Sequence, residues 1–131
     1  MDERIFTLGE ANNLVPELEA LLAQIKKARR FLYKIRGEIQ KARDHCQANG
    51  GSPQGPAYLA ALEYIMKHLE QIQLRGVLVK DLEKGLCDFP YMLDGRVVHL
   101  CWKMGEPEIQ WWHETHTGFS DRQPLEQDEE R

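Results

Sequence analysis

The stretch Cys87–Glu114, CDFPYMLDGRVVHLCWKMGEPEIQWWHE, decides the fold. Asp94-Gly95 lies between two runs of alternating residues, and Asp-Gly is the pair that best tolerates the positive φ angles of a type I′ hairpin turn. Leu93 is therefore expected opposite Arg96; counting outward sets Val97 against Met92, Val98 against Tyr91, Leu100 against Phe89 and Trp102 against Cys87. A second turn is expected in Met104-Gly105-Glu106-Pro107, where Pro ends the pairing and Gly supplies the unusual backbone. Either loop length it allows puts Lys103 against Glu108, Ile109 against Trp102, Trp111 against Leu100 and His113 against Val98.

Side chains alternate across a strand, so these pairings sort into two faces. The apolar face carries Cys87, Phe89, Tyr91, Val98, Leu100, Trp102, Ile109, Trp111 and His113; the other carries Asp88, Met92, Val97, His99, Cys101, Lys103, Glu108, Gln110, Trp112 and Glu114. On this count His113 is the polar intruder on a core surface, in a row with Val98 and Tyr91. A buried imidazole needs a partner, since leaving it unpaired costs roughly 1–3 kcal/mol. It is either a structural His bonded to a carboxylate or carbonyl, or a metal ligand or proton-transfer group, the roles for which imidazole is most used. Glu114 and His116 stand next to it as further metal-ligand candidates, and zinc, manganese or iron would suit such a His/carboxylate set. HExxH spacing is absent, so the zinc-protease reading fails.

Upstream, Thr7-Leu8-Gly9-Glu10 fits a capping box and starts helix one. Ala11, Leu14, Leu18, Leu21, Ile25, Ala28, Leu32, Ile35, Ile39, Ala42 and Cys46 then step by three and four, a heptad seam. Pro16 is expected to kink or restart it. Asn49–Pro56 is a breaker-rich connector, and helix two follows with Leu59, Leu62, Ile65, Leu69, Ile72, Gly76 and Val79, of which Leu62 through Val79 can face helix one, until Gly85 ends it. A three-stranded sheet with one apolar face needs a helical cover. The expected fold is therefore α+β: a long antiparallel helical hairpin on a three-stranded antiparallel meander, with helix one at 8–49, helix two at 56–84, the sheet at 87–114 and an acidic, disordered tail at 123–131. Helix one is the longer, so an uncovered seam is expected to build a homodimer.

With 131 residues, 42% hydrophobic and 29% charged, the chain is one domain's worth. No apolar run approaches the ~18 residues of a membrane span, and the opening lacks the shape of a signal peptide, so a cytoplasmic protein without membrane contact is expected. A net charge of −4 argues against a nucleic-acid partner. Cys46, Cys87 and Cys101 are an odd count without CxxC spacing and read as reduced thiols. No GxGxxG, Walker-type loop or nucleophile elbow is present, so no nucleotide cofactor is indicated.

Gly85-Leu86-Cys87-Asp88-Phe89-Pro90, Leu100-Cys101-Trp102-Lys103-Met104-Gly105-Glu106-Pro107-Glu108, Trp112-His113-Glu114 and Gly118-Phe119, with Phe6-Thr7 and Glu10-Ala11-Asn12 at the start, resemble a family of short, uncharacterised bacterial proteins classed as a domain of unknown function. The resemblance spans nearly the whole chain. It implies a bacterial origin, a helical hairpin with a small sheet, and an association with metal binding. It marks Asp88, Glu106, His113 and Arg122 as site positions, to which Tyr91 is added from the His113 row; His99 and His116 depart from the pattern. Two function classes follow: a small metal-binding protein centred on His113, or a non-catalytic module that dimerises or docks a partner through its helices.

Overall fold

The computed structural model describes residues 3–45 and 54–126. Its elements are α1 (Leu8–His45), α2 (Gly55–Leu74), β1 (Leu78–Asp81), β2 (Leu86–Leu93), β3 (Arg96–Lys103), β4 (Trp111–His113) and β5 (Gln123–Pro124), with a 3-10 turn at Phe119–Asp121. The five strands form one antiparallel sheet in the order β1-β2-β3-β4-β5. The class is α+β as expected, with two more strands than the three foreseen. The end of helix one beyond His45, Cys46, most of the connector and the tail from residue 127 lie outside the described residues.

α1 begins on the capping box: the Thr7 amide donates to Glu10 Oε1 at 2.8 Å and the Glu10 amide to Thr7 Oγ1 at 3.1 Å. The helix runs through Pro16 without a restart. Its inner stripe, Leu8, Ala11, Val15, Leu18, Leu22 and Ile25, is buried against the sheet and α2. Three contacts run antiparallel along the two helices: Gln54 to Glu38, Tyr64 to Gln24, and the ion pair of Arg75 with Glu17.

Helix two ends ten residues before the expected boundary. Gly76 adopts φ +89°, and a Cβ there would stand 2.9 Å from the Arg4 side chain, so the chain leaves the helix beneath residue 4. Beyond it the core-packed residues are two apart: Val77 is buried and Val79 packs on the core while Lys80 is exposed. That is the period of a strand, and Leu78–Asp81 pairs with β2 as the sheet's edge. Gly85, at φ +70°, turns β1 into β2; it does not end a helix.

The β2–β3 hairpin has the register that Asp94-Gly95 dictates, from Leu93↔Arg96 to Cys87↔Trp102. Both turn residues have positive φ, 50° and 81°. The β3–β4 register differs from expectation by one residue: His99 faces His113, Leu100 faces Trp112 and Cys101 faces Trp111. Residues 104–110 do not pair as a tight turn. The Ile109 amide donates to Asn12 Oδ1 on α1 at 2.7 Å, and Ile109 is buried in the core. Glu106 folds back, its carboxylate accepting from the Lys103 amide at 2.7 Å and its carbonyl from Trp102 Nε1 at 2.9 Å. A one-residue slip turns every side chain of a strand to the other face. Trp112 therefore packs on the core, and His113 joins the face of Asp88, His99 and Cys101.

Candidate metal centre

The second sheet face is built by the ladder itself. Leu78, Asp88, Cys101 and Trp111 form one row across four strands, and His99 and His113 oppose each other in the next. Directly opposed residues hold their Cβ atoms about 4.5–5.5 Å apart, close enough for short polar side chains to meet. Asp88, Cys101 and His113 bring one ligand atom each within 4.8 Å of one another. All are at most 2% exposed, and His99 beside them is 6% exposed. A buried carboxylate is tolerated only when paired or bound to a metal.

His113 has a fixed tautomer. Its Nδ1 lies 2.7 Å from the carbonyl oxygen of Glu114, which can only accept, so Nδ1 carries the proton. Nε2 then points at Asp88 Oδ2 from 3.0 Å. In the neutral ring this sets a lone pair against a carboxylate oxygen, and a cation or a second ring proton must reconcile them. His99 Nδ1 lies 3.4 Å from the same oxygen and, although buried, makes no hydrogen bond. The two rings meet edge to face at 5.6 Å between centroids. Burial, followed by the Asp88 charge, pushes the Cys101 thiol up to about 12, and its hydrogen bond to Asp88 adds to this. Cys87, on the core face, is pushed up to about 12 for the same first two reasons. Both cysteines are free.

The chain after β4 folds beside this face. Arg122 donates to both oxygens of Glu106 at 2.8 and 2.9 Å and to the Cys101 carbonyl at 3.2 Å. Its guanidinium lies over the rings of Phe119, at 4.5 Å, and Trp111, at 5.0 Å. β5 pairs with β4, so the expected tail contributes a strand at Gln123–Pro124. Glu106 and Arg122 thus form a clamp that ties the C-terminal segment to the backbone of Cys101.

Of the residues picked from sequence, the structure brings together Asp88 and His113. The Glu114 carboxylate turns outward to Arg96, at 2.6 Å from Nη2, and this bond holds it below the usual carboxylate range. His116 is exposed in the following turn. Tyr91 sits buried on the core face, opposite Val98 and bridged to Phe6. Cys101 and His99 were missed as site residues although the sequence pattern already sets both on Asp88's face. The signal available was three metal-ligating side-chain types, at positions 88, 99 and 101, on one face of a hairpin of fixed register. The slipped β4 count hid it by sending His113 to the opposite face and setting His99 against Trp112.

No curated protein and no solved structure matches the chain. Among the described residues, no helix is long and apolar enough to cross a membrane. One family model matches, over residues 4–125, and that span covers both helices' described residues and the whole sheet. The chain belongs to the family described as "Uncharacterized conserved protein (DUF2203)".

Proposed function

We propose that the protein binds one divalent metal ion between Asp88, Cys101 and His113. The observation that carries this reading is the His113 tautomer: its Nδ1–H is committed to the Glu114 carbonyl, which aims the Nε2 lone pair at a buried carboxylate oxygen 3.0 Å away. A backbone carbonyl behind a ligating imidazole is the usual outer partner of a metal-bound His. Ligands about 2.0–2.3 Å from a tetrahedral ion stand roughly 3.3–3.8 Å from each other, within the spread of this cluster. Sulfur and imidazole donors select zinc over manganese, magnesium or calcium, which prefer oxygen.

Elemental analysis of protein purified without a histidine tag, from cells supplemented with zinc, manganese or iron, tests the reading. Stoichiometric zinc that is lost in His113→Ala is the expected result. Metal-free protein under every supplement, with both His113 nitrogens protonated by nitrogen NMR, replaces the ion by an imidazolium–aspartate pair and sinks the proposal. The rival, self-association through the long helices, needs an uncovered seam. The seam positions Ala28, Leu32, Ile35 and Ile39 are at least partly buried within a single chain, while Ala42 is exposed.

A further inference from the structure

Resting on the ion-binding reading, we infer that His99 is the fourth ligand, through Nδ1, and that the ion is a structural staple across β2, β3 and β4 with no position for a substrate. Three ligands alone leave an open coordination site, the arrangement of catalytic zinc; four protein ligands close it, the arrangement of structural zinc. His99 Nδ1 is a buried polar atom without a hydrogen bond, 3.4 Å from the Asp88 oxygen that also faces His113. An unsatisfied buried nitrogen is destabilising, and bonding to an ion removes that cost. His99 opposes His113 in the ladder and lies two residues from Cys101 on the same face, so it has the reach. It stands beside the Asp88–Cys101–His113 cluster, and closing the sphere takes a rotation of its side chain.

Burial points the same way. Asp88, His99, Cys101 and His113 are between 1% and 6% exposed, too enclosed for a substrate to reach an ion among them. The position of the site explains what such an ion does. β4 has three residues and its register is not set by a tight turn, so its hold on β3 is weak by itself. An ion bound by Asp88 of β2, His99 and Cys101 of β3 and His113 of β4 locks all three strands in register.

X-ray absorption on the zinc-loaded wild type tests this without any variant. Two imidazoles, one sulfur and one carboxylate oxygen are expected. One imidazole with added water oxygens overturns the His99 assignment and leaves the three-residue site standing; failure of the wild type to bind zinc overturns both. The second arm uses cobalt(II) and His99→Ala. A fall in affinity of about tenfold or more, together with a cobalt spectrum altered by water replacing imidazole, supports a ligand. Weaker binding with an unchanged spectrum makes His99 an orienting partner of Asp88 and overturns the proposal.

Discussion

Asn12 is predicted to hold the register on which the metal centre depends, although it touches none of the four site residues. Its Oδ1 accepts from the Ile109 amide at 2.7 Å, and Ile109 is 1% exposed. Asn12→Ala strands that amide in the core, at a cost of about 1–3 kcal/mol. Alanine returns roughly 0.5 kcal/mol through better helix propensity, which leaves a net loss of about 0.5–2.5 kcal/mol. For a domain of this size the midpoint falls by roughly 2–10 °C. Thermal and urea melts give the number, and zinc titration of the same variant is expected to show weaker binding because β4 no longer holds His113 in place. Asn12→Asp keeps the acceptor and is expected near wild type in both assays. An Asn12→Ala protein as stable as wild type, with unchanged zinc affinity, refutes the argument that this contact sets the β3–β4 register.

Arg122→Ala removes a charged bond to Glu106 and the cover over Trp111, so a loss of about 1.5–3 kcal/mol is expected, read by urea melts with tryptophan fluorescence. A native tryptophan spectrum with no stability loss counts against the clamp. In metal-free protein with a Cys46→Ser background, Cys87 and Cys101 are expected to resist a thiol reagent at pH 8, since both are buried and burial holds their thiols protonated when no ion is bound; labelling as fast as in urea contradicts their placement. The Glu10 carboxyl is held below its usual 4.5, first by the Thr7 amide. A depressed carboxylate contributes stability above its unfolded value and loses it as pH falls through the folded one. Glu10→Gln is therefore expected to be less stable than wild type at pH 7 and to converge with it as pH falls through the depressed folded value, and a pH-independent difference rules out the charged cap. Thr7→Ala is expected to cost about 1 kcal/mol in the same melts.

Local chemistry explains why part of this fold is readable from the chain. The β2–β3 hairpin follows from two residues, Asp94 and Gly95, because only positive φ angles close a two-residue turn compatible with strand twist. The capping box and the three-four stepping of α1 are likewise properties of neighbours in sequence. Those signals place Asp88, His99 and Cys101 on one face before any tertiary contact is known. Tertiary structure decided the rest. Leu78 and Val79 fit a helical seam or a strand equally well, and the left-handed turn at Gly76 followed by pairing with β2 makes them a strand. His113 stands on the core face or on the Asp88 face according to one residue of register. The Ile109 amide before β4 bonds to Asn12, 97 positions away, and no count along the turn contains that contact. A period-two pattern tells which residues share a face of a strand; which strand residues they meet is settled by where the buried amides between strands find acceptors.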